Sequence, residues 1–245
     1  MKIVSQFFEL LLVLAASNNH LSAQIRDDSV FVSGIVQKIT RTYIEQLNTE
    51  APIYNGKMYR PVFNLNDGGH TLFQSNQYTK GTIVYNGHIY QDVNLMYDMV
   101  KDQLVLLNFD QVGGIVIWPQ YVDAFSLHQH TFINIRPDST TQKSIAPGYY
   151  DLLYQGKTSL LAKRIKELIE TPNQNAVKRT VSQQNKYYLL NHSGYTLIKG
   201  KKDLLRLLSR TRNENLQYIK TERLNFKKEL ERSMIKLLSY HDSIL

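Results

Sequence analysis

The residues best suited to chemistry sit in the middle of the chain. His128-Gln129-His130 places two imidazoles two residues apart, a spacing that on a strand turns both rings to one face and suits zinc or copper. No His-Glu-x-x-His or His-x-x-Glu-His stretch supplies a third ligand. His70, His88 and His192 lie far off without supporting spacing, so the pair reads as turn or surface histidines and no metal or other cofactor is expected. Asp92, Asp98 and Asp102 are the carboxylates that a glycoside hydrolase would need to face one another across a cleft. Asp98 and Asp102 follow one extended run and precede another, where Asp more commonly folds back on its own backbone to make a turn, while Asp92 shares a strand face with Asn94 and Met96. Ser126 lies near Asp123 and His128, but no Gly-x-Ser-x-Gly elbow surrounds it. Asp67-Gly68-Gly69 and Gly113-Gly114 lack the remainder of a phosphate-cradling loop. No catalytic residue is assigned.

Charge is distributed unevenly. Residues 156–245 carry 19 Lys and Arg against 8 Asp and Glu, while residues 1–155 carry 10 against 13, within a net charge of +8. Arg223, Lys227, Lys228, Arg232 and Lys236 form the densest part of this basic region and are the candidate anion-binding residues. Glu222, Glu229 and Glu231 interrupt the run, as they would on a solvated helix face.

The elements that must position these residues follow an N-terminal address. Lys2, the apolar run Phe7–Ala16 and Leu21-Ser22-Ala23 read as a signal peptide over residues 1–23, cleaved before Gln24. Its apolar run is too short to span a bilayer, and no later stretch reaches the ~18 apolar residues of a transmembrane helix. Export to the periplasm, the outer membrane or the medium makes nucleic acid an unlikely partner and favours an anionic envelope component or an acidic protein. The chain has no Cys, which excludes disulfides, thiolate metal sites, cysteine nucleophiles and a lipid-anchored N-terminus. With 42% hydrophobic and 20% charged residues, residues 24–245 can build a core and are read as one domain.

Within that domain Val32, Val36, Ile39, Tyr43 and Leu47 recur at helical spacing, so residues 30–48 carry a helix ended by Pro52. Residues 53–164 are β-rich. Tyr54-Asn55-Gly56 and Tyr85-Asn86-Gly87 are hairpin signals, because both turn residues accept positive φ, and Tyr154-Gln155-Gly156 is a weaker echo. Sixteen Tyr against a single Trp suit a sheet whose rings pack while their hydroxyls reach water. Thr171–Gln184 is polar throughout and reads as a loop. A hairpin follows over 185–200, turning at Asn191–Gly194. Residues 201–245 form a basic helical tail, with helices over Lys201–Ser209, Leu216–Leu224 and Phe226–Tyr240. In the last of these Phe226, Leu230, Met234 and Leu237/Leu238 make one apolar stripe.

Tyr85-Asn86-Gly87, Tyr90-x-Asp92-Val93-x-Leu95-x-Tyr97-Asp98 and Asp102-x-Leu104 resemble a group of secreted proteins of unknown function from Bacteroidetes-type bacteria. Tyr187-Tyr188-Leu189, Lys199–Leu205 and Phe226-Lys227-Lys228 are similar to later blocks of the same group. The resemblance covers most of residues 54–240 and implies export and a shared architecture without an activity. The expected fold is α+β: a mainly antiparallel β domain of hairpins, as a sandwich or partly open barrel, with an N-terminal helix and C-terminal helices. The expected function is that of a non-enzymatic exported module that binds or supports a partner. A hydrolase acting on an envelope polymer is the alternative, separated from the first by whether polar side chains converge in one deep pocket.

Overall fold

The computed structural model describes residues 51–62, 65, 69–136, 145–173, 176–191 and 194–245. The chain divides into two compact units, Met1–Ala51 and Pro52–Leu245, and the described residues belong almost entirely to the second. The expected signal peptide and the helix over 30–48 lie outside them.

One antiparallel sheet of eleven strands dominates, followed by three helices. The strands are β1 (Gly56–Met58), β2 (Thr79–Tyr85), β3 (His88–Asp98), β4 (Gln103–Leu107), β5 (Gly114–Ile117), β6 (Val122–Leu127), β7 (His130–Ile135), β8 (Gly148–Gln155), β9 (Ser159–Asn173), β10 (Ala176–Asn191) and β11 (Gly194–Ile198). Their spatial order is β1-β5-β4-β3-β2-β6-β7-β8-β9-β10-β11. The sheet is open and single, where the sequence left a sandwich or a partly open barrel as alternatives.

Turn chemistry explains most of the connections. Asn86 and Gly87 both take positive φ, 50° and 76°, and make the tight β2–β3 turn. His128 and Gln129 do the same between β6 and β7, with φ of 50° and 64°. The two histidines of the His-x-His stretch are therefore not side by side on a strand: His128 is in the turn and only His130 begins β7. Tyr54-Asn55-Gly56 is not a hairpin either. It leaves a short 3₁₀ turn, Pro52–Tyr54, and delivers Gly56 into β1 against Ile117, where an added Cβ would strike the Val116 carbonyl.

The β5–β6 connection forces the sheet to curl. Strands β5 and β6 are four positions apart, a separation of ~19 Å in a flat sheet. The chain joins them through Trp118–Tyr121 alone, partly wound into a 3₁₀ turn over Pro119–Tyr121. Five Cα steps reach at most ~17 Å when fully extended, so the strand ends must bend towards each other. Tyr97 of β3 and Tyr149 of β8 confirm the bend, with ring centroids 5.8 Å apart. Phe73, Tyr97, Phe125, Phe132 and Tyr149 fill the concavity as a cluster of edge-on and stacked rings.

A continuous row of register partners crosses the sheet: Tyr90, Ile83, Phe125, Phe132, Asp151, Ala162, Tyr187 and Ile198. Paired residues in antiparallel strands share a face, and every member of the row is buried. Asp151 is its one charged member.

The described residues of the stretch expected as a loop, 171–173 and 176–184, are strand. They belong to a long β9–β10 ribbon whose register runs from Ser159↔Leu190 to Asn173↔Ala176. Beyond Lys166 the ribbon has no further strand on either side among the described residues, because β8 pairs β9 only up to Ala162 and β11 pairs β10 only from Tyr187. Both of its faces are solvated there, and the polar sequence follows from that.

The tail holds α1 (Lys201–Leu207), α2 (Arg212–Thr221) and α3 (Leu230–Ile244). Asp203 accepts the Lys199 amide at 3.0 Å and places its charge in the first turn of α1. Arg223 takes φ of 50° just after α2, and the Leu224 amide returns to the Ile219 carbonyl at 3.0 Å, a left-handed helix stop. Helix α3 starts four residues later than its apolar stripe suggests. Asn225 Oδ1 accepts the amides of Lys227 and Lys228, each at 3.1 Å, and holds that segment in a turn. From α3, Met234, Leu237 and Leu238 pack into a core with Leu160, Ala162, Leu189 and Ile198 of the sheet. No helix among the described residues is long and apolar enough to cross a membrane.

Candidate ligand-binding site

Two polar assemblies are candidates for chemistry, one buried and one open. The buried one surrounds Asp151. Arg164 lies two residues beyond Ala162 on the same strand, so its side chain returns to the face that carries Asp151. It donates Nε and Nη2 to Asp151 Oδ2 at 2.9 and 2.6 Å, and Nη1 and Nη2 to Glu231 of α3 at 2.5 and 3.0 Å. Tyr187 donates its hydroxyl to Glu231 Oε1 at 2.7 Å. On the other side, His130 Nδ1 meets Asp151 Oδ2 at 2.8 Å. The ionised carboxylate makes Nδ1 the donor, which leaves Nε2 to accept from Gln74 Nε2 at 3.0 Å.

This is the orienting half of a His–carboxylate dyad without a nucleophile. The free ring nitrogen of His130 faces an amide where a hydrolase would place a hydroxyl. Arg164, 6% exposed between two carboxylates, directs four of its five N–H donors at them, and the Asn185 side-chain oxygen accepts the fifth at 2.9 Å once that amide is turned over. Burial pushes Glu231 up, but hydrogen bonds from Arg164 and Tyr187 outweigh it and hold the carboxyl below its ordinary value. The assembly clamps α3 onto the sheet. Sequence reading passed over Asp151, Arg164 and Tyr187, and left Glu231 on the solvated face.

The other carboxylates of the sheet accept from backbone amides, tyrosine hydroxyls or a basic side chain. Asp98 Oδ1 accepts the Val100 and Lys101 amides at 3.0 and 3.1 Å, the turn-making role expected of it, and Oδ2 takes the Tyr59 hydroxyl at 2.7 Å. Asp102 accepts from Tyr97 Oη and Lys163 Nζ, both at 2.6 Å. Burial lowers the Lys163 ammonium by more than the facing Asp102 raises it. Ser126 Oγ accepts the Thr82 amide at 3.1 Å, and Asp123 pairs with Arg136 at 2.6 Å, so Ser126, His128 and Asp123 form no triad.

The candidate anion-binding residues gather around the α2–α3 connection, and two of the five are paired. Arg232 Nη1 lies 3.1 Å from Glu229 and Lys236 Nζ lies 3.8 Å from Glu222. Arg223, Lys227 and Lys228 are exposed, with no carboxylate partner among the described residues.

The open assembly lies at the β5–β6 corner, where the β2–β6 ladder ends at Tyr85↔Val122 beside the β2–β3 turn. The Asn86 amide donates to the Tyr121 carbonyl at 2.7 Å and fixes the two together. Pro52, Asn55, Tyr85, Asn86, Trp118, Gln120 and Tyr121 line a pocket of about 280 Å³. Tyr85 is buried at its base, Trp118 is half-buried, and Tyr121 stands 44% exposed at its edge. The Tyr85 and Tyr121 rings meet edge-on at 5.8 Å. Burial and the neighbouring Tyr121 and Tyr90 raise the Tyr85 phenol, which stays protonated at any physiological pH. Asn55, Asn86 and Gln120 stand at the exposed rim. Lys57 sits over the Trp118 ring at 5.2 Å but does not line the pocket.

These walls can stack a ring and hydrogen-bond its edge. They hold no group that would donate or withdraw a proton near neutrality. Sequence reading took Tyr85-Asn86-Gly87 as a turn and gave Trp118 no role; the single Trp of the chain beside Pro119, Gln120 and Tyr121 was the available signal. Comparison with models of known families, with curated proteins and with solved structures finds no match.

Proposed function

We propose that this chain is a non-enzymatic, exported binding module of the cell envelope that takes its ligand in the pocket around Trp118. The pocket carries the proposal: its lining joins three aromatic side chains to three rim amides and includes no carboxylate, imidazole or aliphatic hydroxyl. Such a site supports recognition more readily than hydrolysis. The buried ion network supports the same reading, because its hydrogen bonds are directed at one another. Export rests on Lys2, Phe7–Ala16 and Leu21-Ser22-Ala23. The exposed Arg223, Lys227 and Lys228 add a surface that draws the module towards an anionic envelope component.

Co-sedimentation with purified cell envelopes tests the proposal. Wild-type protein should pellet with the envelopes, and a folded Trp118→Ala/Tyr121→Ala variant should remain in the supernatant. The envelope polymers should keep their size distribution on long incubation. Polymer shortening by wild type but not by the variant would replace this reading with the hydrolase; equal pelleting of both proteins would move the binding surface elsewhere.

A further inference from the structure

We infer that the ligand of this pocket is a neutral saccharide, bound with one sugar ring against Trp118 and Tyr121; the inference rests on the binding function proposed above and names its ligand class. Each primary amide offers two donors and one acceptor oxygen. Among the described residues, none of the Asn55, Asn86 and Gln120 side-chain amides makes a hydrogen bond within the chain. Three flexible donor–acceptor groups thus surround an aromatic floor and point to a ligand that itself donates and accepts around its edge.

A sugar ring has that character. Its hydroxyls each donate and accept, and its C–H face is apolar and weakly positive, complementary to the electron-rich face of an indole or phenol. A purely apolar ligand would bury the amides without partners. An anion would meet no cation in the lining, and Lys57, outside it, lies over the indole ring at 5.2 Å. The volume, about 280 Å³, is at the lower end of the ~300–1,000 Å³ of ligand pockets and suits a single ring of a longer chain more than a large compact ligand. The mouth is formed by exposed residues at a turn and a corner.

The protein without residues 1–23 is titrated with soluble neutral oligosaccharides of the glucose, mannose, galactose and N-acetylglucosamine series. A polyuronate, a sulfated oligosaccharide and a nucleoside serve as comparators. Trp118 is the only Trp, so its emission reports the pocket directly, and calorimetry gives affinities for the variants. At least one neutral series should shift Trp118 emission saturably, with an affinity unchanged across a salt series. Gln120→Ala, at an exposed position without internal hydrogen bonds, should weaken binding roughly 2- to 10-fold. Tyr121→Ala should weaken it further, and circular dichroism should show both variants folded. A response to no neutral series, a response to the nucleoside alone, or one to the charged polymers alone that weakens with salt would overturn the saccharide inference. Envelope retention that still depends on Trp118 and Tyr121 would then leave the binding function standing. Neutral saccharides bound equally by wild type and by Tyr121→Ala and Gln120→Ala would place the sugar elsewhere and overturn the inference as well.

Discussion

Replacing Arg164 by Leu should be among the most damaging single changes in this protein. Arg164 and Asp151 are 6% and 1% exposed, so removing the guanidinium strands a carboxylate in a row of aromatic and aliphatic side chains, with His130 as its remaining partner. Breaking one half of such a buried pair costs ~3–5 kcal/mol. Glu231 loses two hydrogen bonds as well, but at 31% exposure it recovers hydration and adds little. With a urea m-value of ~2 kcal/mol/M, the unfolding midpoint should fall by ~1.5–2.5 M. Asp151→Asn in the same background removes the stranded charge and keeps an acceptor for His130 Nδ1. The double variant should therefore regain ~1–3 kcal/mol over the single one. Urea unfolding followed by far-ultraviolet dichroism measures both. A loss below ~1 kcal/mol for Arg164→Leu, or a double variant no more stable than the single, would refute the view that this network is a tightly coupled clamp.

Leu237→Ala in α3 should cost ~2–5 kcal/mol in the same assay, because Leu237 is fully buried, whereas Lys227→Glu and Lys228→Glu should each stay within about ±0.5 kcal/mol. Burial and the nearby Lys157 lower His241 below its ordinary 6.5, with Asp242 opposing them; Thr211 Oγ1 lies 2.7 Å from its Nδ1. The unfolded chain therefore takes up this proton first: the stabilisation is complete above pH 6.5, falls as pH drops below it, and should fall less steeply in His241→Gln, as read from melting temperatures. Amide exchange should be fastest, within the sheet, at 167–172 and 177–184 of the projecting ribbon, and slowest in the buried cross-sheet row; equal protection would mean that a further surface covers the ribbon. N-terminal sequencing of protein recovered from the envelope should begin at Gln24 or within a residue or two, and an intact Met1 would remove the case for cleavage.

Local chemistry was legible in the sequence, and tertiary chemistry was not. Asn86-Gly87 announced its turn because the requirement, positive φ at two successive residues, is met within the dipeptide. The hairpin at Asn191–Gly194 and the apolar periodicity of α3 were readable for the same reason. Thr171–Gln184 was misread because a ribbon solvated on both faces has no alternation of polar and apolar residues, although Val177, Thr180 and Val181 retain β propensity. Asn225 shifted the start of α3 by offering its amides a competing acceptor. The clamp joins residues 13 and 67 positions apart. Its one local sign was Asp151, a lone charge between Tyr149-Tyr150 and Leu152-Leu153. The pocket lies along the short β5–β6 link, with Asn55 brought to Trp118 by the β1–β5 ladder and Tyr85-Asn86 brought to Tyr121 by the β2–β6 ladder, a consequence of strand order that no single segment reveals.

Nuclear magnetic resonance shift mapping during titration with the best-binding neutral oligosaccharide tests the central claim most directly. The chain has a single indole N–H, that of Trp118, and its signal should move saturably together with backbone amides of Asn55, Tyr85, Asn86, Gln120 and Tyr121. Shifts confined instead to Arg223, Lys227 and Lys228, or to the β9–β10 ribbon, with the Trp118 signal unmoved, would contradict it.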